Sequence, residues 1–200
     1  KNGVIPLKKL TLHPQEQLFS PVENSVERLE LISQWSELNY DELTEALDWQ
    51  EEHIRMFGKE IRVPRLVVWY GEKGYGYSGK RHQPKAIPEM IQREMNRLSA
   101  ETGVEFNGVL CNWYRNGEEH MGFHSDDEPE IYGSLIASIS LGASRRFAWK
   151  KKDGSEGGKV ELESGSLLLM HHFQENWKHA LLKDPKVGEG RINLTFRKIR

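Results

Sequence analysis

Hydrophobic positions follow two periods along this chain, a helical one in the first half and a strand-like one after Phe106. Ile87, Ile91, Met95 and Leu98 fall on one stripe of a helix, with Pro88 in its first turn and Gly103 as its stop. An earlier helix is predicted over residues 40 to 51. There Asn39 is placed as N-cap, Glu42 stands three positions on, and Leu43, Ala46 and Leu47 share a face. Beyond Phe106, short β-rich runs at 106 to 114, 135 to 141, 145 to 150, 158 to 163, 166 to 171, 177 to 182 and 190 to 198 predict strands. Leu66 to Trp69 adds one upstream. Many short strands at this spacing predict a sandwich, barrel or jelly roll, so the chain reads as α+β, helices first and a rolled double sheet after. Residues 1 to 38 show weak periodicity and stay unassigned, as an arm packed on the domain or partly disordered.

The chain's 200 residues suffice for one domain with a core able to hold a rigid site. With 37% hydrophobic and 29% charged residues the composition is that of a soluble globular protein. The longest apolar runs, such as Leu167 to Met170, are far short of a membrane span, so no membrane role is expected. A start at Lys1 with no apolar signal region points to an intracellular protein trimmed at its beginning. Cys111 is the single cysteine, which excludes an intramolecular disulfide, fits a reducing compartment and reads as a small core residue. A net charge of -2 does not announce a nucleic-acid binder. Local clusters at Lys80-Arg81-His82, Arg145-Arg146, Lys150-Lys151-Lys152 and Lys183/Lys186 are nonetheless candidate phosphate contacts, each reading as solvated charge when taken alone.

Gly74 to Lys80 nearly matches a phosphate-binding loop, but Arg81 stands where that loop needs Ser or Thr and no βαβ unit surrounds it. It reads as a flexible, aromatic-bearing turn. His124 and Asp126 are stronger candidates. In an extended segment residues two apart share a face, so the imidazole and carboxylate can converge on one metal. A third ligand from His171, His172 or His179 would complete a two-histidine, one-carboxylate face for iron(II) with open positions. Spacing does not choose among the three. In the last predicted strand Arg191, Asn193, Thr195 and Arg197 fall on one face, with Ile192, Leu194 and Phe196 on the other. Two guanidiniums on one polar face suit a small dicarboxylate such as 2-oxoglutarate, unless that face meets solvent.

These elements, in this order, resemble the AlkB family of iron(II), 2-oxoglutarate-dependent nucleic-acid dealkylases. The similarity runs from about Asp41 to the C-terminus and is most specific at Arg191-Ile192-Asn193-Leu194-Thr195-Phe196-Arg197. It implies a double-stranded β-helix (jelly roll) over 106–200, preceded over 39–105 by helices and a nucleotide-recognition lid. Carried over by residue, it implies His124, Asp126 and His179 as iron ligands, leaving His171 and His172 as bystanders. Asn112, Tyr114, Arg191, Asn193 and Arg197 would hold 2-oxoglutarate, and Asp127 and Glu128 would contact the substrate nucleotide. Met56-Phe57-Gly58-Lys59 with Val63-Pro64-Arg65 resembles the hairpin that duplex-acting members press into the helix, with Phe57 as wedge or as core residue. Tyr75 and Tyr77 match aromatic positions of the lid over the flipped base, the alternative being that they pack the lid onto the domain.

The implied activity is oxidative demethylation of 1-methyladenine- or 3-methylcytosine-type bases. With O2 it would release succinate, carbon dioxide and formaldehyde. The implied partner is alkylated DNA or RNA, met by a monomer that is cytoplasmic if bacterial and nuclear if eukaryotic. Competing expectations are an iron and 2-oxoglutarate hydroxylase of a protein or small molecule, and a non-catalytic nucleic-acid-binding jelly-roll module. Zinc hydrolase chemistry would use the histidines and aspartate but leaves the arginine strand unexplained.

Overall fold

The computed structural model describes residues 10–13, 27–56, 58–77 and 80–200. In chain order its elements are β1 (Leu10–His13), β2 (Arg28–Ile32), α1 (Tyr40–Ala46), β3 (Gln50–Met56), β4 (Lys59–Gly71), β5 (Tyr75–Tyr77), β6 (Lys80–His82) and α2 (Glu89–Thr102). There follow β7 (Gly108–Tyr114), β8 (Met121–His124), β9 (Leu135–Gly142), β10 (Arg145–Lys151), β11 (Gly157–Leu162), β12 (Leu167–His171), β13 (Trp177–Leu181) and β14 (Arg191–Arg197). A mostly antiparallel major sheet runs β1, β2, β12, β9, β14, β7, β4, β3, and a minor sheet runs β11, β10, β13, β8. Strands β5 and β6 form a separate hairpin. This is the jelly roll that the resemblance implies and one of the architectures that the strand spacing predicts.

Alternation along β14 places the site. Ile192, Leu194 and Phe196 join Ile91, Met95 and Leu98 of α2 in one core cluster, so α2 covers the outer face of the major sheet. Fully burying such side chains is worth about 1.5–3 kcal/mol each, which fixes the sheet's orientation. Arg191, Asn193, Thr195 and Arg197 therefore face inward and line a cavity between the sheets rather than meeting solvent. Beside the cavity the sheets close through a second cluster, Phe147, Trp149 and Leu162 against Ile136, Leu168 and Met170. Cys111 lies fully buried in the outer core, and burial pushes its thiol pKa well up.

Several elements differ from expectation. The first helix stops at Ala46, not residue 51: Leu47 turns extended and Trp49 donates from Nε1 to the Leu43 carbonyl (3.2 Å), carrying its ring against Trp113. Its start is as expected, with Asn39 Oδ1 accepting from the amides of Asp41 (2.8 Å) and Glu42 (3.1 Å). Leu66 to Trp69 proves to lie in the second half of the much longer β4, which pairs with β3 from Lys59 to Val67 as a hairpin. The unassigned N-terminal segment supplies β2, which pairs with β12. The supposed turn at 74–80 carries β5 and β6. Phe57 lies outside the described residues, as do the side chains of Met56, Tyr77 and Lys80.

Strand β2 brings Glu30 into the sheet, almost fully buried beside Arg28 and His171. Burial alone would raise its pKa, but hydrogen bonds and charge from His171 and Arg28 outweigh burial and hold it down at about 2. A depressed carboxylate stabilises the fold above its unfolded pKa, and that contribution is lost as pH falls through the folded value. Urea unfolding of wild type and Glu30→Gln should therefore differ most at pH 6, with the gap shrinking as pH drops from the ordinary carboxylate range toward 2. A gap independent of pH would refute the ion-pair assignment.

Candidate active site

Strands β8 and β13 pair antiparallel, and their register sets His124 directly opposite His179. The two imidazoles lie 4.3 Å apart, and Asp126, two residues past His124, folds back so that its Oδ1 stands 3.4 Å from His124 Nε2. One ligand atom from each of the three lies within 4.8 Å of the others. Two devices hold Asp126 where no strand ladder reaches it. Gln174 Oε1 accepts its amide (2.9 Å), and Ser125 Oγ donates to the Trp177 carbonyl (2.7 Å). His124 is oriented by a 2.9 Å contact between Nδ1 and the Gly122 carbonyl.

The electrostatics suit a cation. Burial alone would raise the Asp126 pKa, but Arg197, with both histidines, holds it well below the carboxylate range. His179 is pushed down to about 3 by burial and by His124, so its ring is neutral, as a metal ligand must be. Asp126 Oδ1 and His179 Nδ1 are buried without a hydrogen-bond partner among the described residues. Two imidazoles and a carboxylate with unsatisfied buried atoms on one face fit a divalent iron that keeps open positions.

His171 and His172 sit elsewhere. In β12, Met170 lines the cavity, so alternation turns His171 to the opposite face, where Nε2 lies 3.7 Å from Glu30. His172 follows in the left-handed region (φ 47°), its amide donating to the Ser134 carbonyl (2.7 Å).

The cavity runs from the triad along the polar face of β14. Arg197 Nη2 donates to Asp126 Oδ2 (2.8 Å), while its Nε and Nη1 are buried without partners among the described residues. At the other end Arg191 Nη2 donates to Ser140 Oγ (2.8 Å), and its Nε is likewise unpartnered. Burial pushes the Arg191 pKa down to about 10. Asn193 spends its amide on Ser138 Oγ (2.6 Å) and the Ile139 carbonyl (3.2 Å), and accepts from Thr195 (2.8 Å), so it shapes the wall. Asn112 and Tyr114, opposite Asn193 and Arg191 on β7, line the same cavity. Ser138 and Ser140 were missed from sequence, although their alternation with Ile139 and Leu141 in β9 was available as a signal.

Three expected substrate contacts are placed differently. Arg65 is buried and donates from Nε to Asn112 Oδ1 (2.7 Å), so it braces the cavity wall instead of lying on the hairpin surface; its position deep in β4 turns it inward. Tyr75 is fully buried, stacked on Trp69 (4.6 Å between ring centroids) with the Arg197 guanidinium over its ring, so it packs the lid onto the domain. Arg145 is buried, not a surface phosphate contact, and its neighbour Arg146 pairs with Asp184 (3.1 Å). Asp127 is exposed beside Lys152 (3.5 Å), and Glu128 is half-buried, its carboxyl pKa raised by burial and by Asp126. Gly58 is exposed at the β3–β4 turn with φ 75°.

Residues 28–197 match the family model described as the 2OG-Fe(II) oxygenase superfamily. The chain is 39% identical over 178 residues to the bovine (Bos taurus) "DNA oxidative demethylase ALKBH2", covering 80% of this chain and 64% of the relative. It is 38% identical to the human (Homo sapiens) protein of that name, covering 80% of this chain and 68% of the relative. To the human "Alpha-ketoglutarate-dependent dioxygenase alkB homolog 3" it is 35% identical over 171 residues, covering 80% of this chain and 60% of the relative. Among solved structures, "The structure of OsALKBH1" superposes with a TM-score of 0.60 at 19% identity, covering 85% of this chain and 97% of that one, a likeness of fold. The chain belongs to the 2OG-Fe(II) oxygenase superfamily and, within it, to the AlkB family. Membership implies iron(II), 2-oxoglutarate and dioxygen. The chain spans 64% of the first of these relatives' length. No helix of the described residues is long and apolar enough to cross a membrane.

Proposed function

We propose that this chain oxidatively demethylates N-alkylated bases of the 1-methyladenine and 3-methylcytosine type in DNA or RNA. With iron(II), 2-oxoglutarate and dioxygen it would release succinate, carbon dioxide and formaldehyde. The observation that carries this reading is the run Asp126-Asp127-Glu128, which sets an acidic pair next to the metal carboxylate in a second pocket that shares Asp126 with the site cavity. Relatives at 38% and 39% identity are named as DNA oxidative demethylases, which supports the same substrate class.

In this reading His124, Asp126 and His179 hold iron(II). When bound with 2-oxoglutarate, the metal supplies the oxidising chemistry that hydroxylates an N-methyl group. Everything else is positioning by the protein. Arg191 lies six residues from Arg197 along β14, about 20 Å of backbone, so the two guanidiniums belong to opposite ends of the polar face that lines the cavity. Arg197 already serves Asp126 and therefore takes the keto-acid end near the metal. Arg191 takes the far carboxylate, with the Asn193 wall between them. An N-methyl on a base's pairing edge is reached only when the nucleotide leaves the stack or is single-stranded, and weak pairing by methylated bases lowers that cost. Lys150 and Lys152, on the β10–β11 hairpin, are suited to the phosphates beside Asp127.

The deciding experiment incubates the protein with iron(II), 2-oxoglutarate, ascorbate and oligonucleotides carrying 1-methyladenine or 3-methylcytosine, and measures base repair by mass spectrometry. Stoichiometric loss of methyl groups with succinate formation is expected. Succinate without repair would move the substrate to a protein or small molecule, and no succinate under any condition would refute the enzymatic reading.

A further inference from the structure

Arg145 opens β10 yet is 1% exposed, an unusual place for a cation. Its guanidinium is held by backbone carbonyls: Nη1 donates to Asn116 (3.1 Å), and Nη2 to Gly117 (3.2 Å), Glu119 (2.8 Å) and Leu182 (2.8 Å). The acids around it are engaged elsewhere, Glu119 with Arg115 and Asp184 with Arg146. Asp184 and Glu119 offset the charge only through space, and burying a charge without a hydrogen-bonded counter-charge is costly when a neutral donor could tie the same loops together. The charge itself therefore calls for a reason.

Its position supplies one. Arg145 and Phe147 share a face of β10, and Phe147 with its strand partner Leu181 lines the cavity, so Arg145 stands on that face one rung beyond the lining residues, behind the cavity end rather than in it. It follows Gly142, the residue that pairs with Arg191, by three positions. The triad lies at the opposite end. The two buried guanidiniums are close enough that the Arg145 charge, after burial, helps lower the Arg191 pKa, and Arg191 too has only a hydroxyl, Ser140 Oγ, as its hydrogen-bonded partner among the described residues.

We propose that Arg145 is a positioning residue for the distal carboxylate of 2-oxoglutarate, adding a fixed positive charge behind Arg191 while its carbonyl clamp holds the cavity end to which that carboxylate binds. The loops it ties are close enough for the clamp to matter. Gly117 and Asp184 exchange backbone contact through the Asp184 amide (2.9 Å), and a Cβ at Gly117 would meet the Asp184 carbonyl at 1.7 Å. The inference rests on the 2-oxoglutarate reading above.

The test measures affinity, without turnover, by anaerobic calorimetry of the iron(II)-loaded protein. The ligands are 2-oxoglutarate and 2-oxopentanoate, the same keto acid with a methyl in place of the distal carboxylate. In Arg145→Met the preference for 2-oxoglutarate over 2-oxopentanoate should fall by about tenfold, while Arg145→Lys, which keeps the charge, should retain most of it. Equal weakening of both ligands in either variant would make Arg145 a structural clamp only and overturn the proposal. The wild type gives a reading independent of how the variants fold. Hydrogen exchange over 115–120 and 182–187 should slow on adding 2-oxoglutarate but not 2-oxopentanoate, and equal protection by both would also overturn it. If wild type binds no 2-oxoglutarate, the functional reading falls and this inference with it; if it binds but its preference survives in Arg145→Met, this inference falls alone.

Discussion

Turnover should be abolished in His124→Ala, Asp126→Ala and His179→Ala, while His171→Ala and His172→Ala keep most of it. Each of the first three removes one of the three proposed protein ligands from a face whose atoms lie within 4.8 Å of one another. Asp126→Ala does further damage, because it strands the buried Arg197 guanidinium without its carboxylate. His171 serves Glu30 in the β12–β2 pairing, so its loss should appear as reduced stability at neutral pH with iron binding intact. Iron titration, succinate formation and thermal melting on all five variants separate these outcomes. An active His179→Ala beside a dead His171→Ala would reverse the ligand assignment.

The choice among the three histidines shows what the sequence could and could not carry. His171, His172 and His179 all lie at or near strands, and nothing in local pattern prefers one. Long-range register decides it, since His179 stands opposite His124 across β8 and β13 while His171 belongs to the other sheet. Where one strand carries its own two-faced code, the sequence is legible. The alternation of Arg191, Asn193, Thr195 and Arg197 with Ile192, Leu194 and Phe196 named both the cavity wall and the core face, and α2 was marked by its stripe and by Gly103 in the left-handed region. Residues whose role depends on tertiary neighbours stay ambiguous in the sequence. A tyrosine in a glycine-rich turn resembles a stacking platform until Trp69 is seen beneath it. An Arg-Arg pair resembles surface charge until four carbonyls converge on its first member. Strand β2 was illegible for a similar reason: Glu30 interrupts its apolar run and is tolerated only because Arg28 and His171 lie beside it.

Arg191→Met should raise the 2-oxoglutarate concentration needed for half-maximal activity by about tenfold or more, because a charge-assisted pair to a carboxylate is typically worth about 1.5–3 kcal/mol. Turnover at saturating cosubstrate should change far less, since Arg191 lies at the end of the cavity away from the triad and touches no metal ligand. Arg191→Lys restores the charge without the planar fork and should recover part of the affinity. Arg197→Met provides the contrast. Its guanidinium holds Asp126 Oδ2, so its removal releases the carboxylate from the partner that keeps it ionised and oriented. That variant should lose iron affinity as well as cosubstrate affinity, and added 2-oxoglutarate should not rescue it. Measured over a matrix of iron and 2-oxoglutarate concentrations, the Arg191 defect should be overcome by cosubstrate alone and the Arg197 defect only by both. Identical behaviour of the two variants would mean that the two ends of β14 do not divide the work between metal and distal carboxylate.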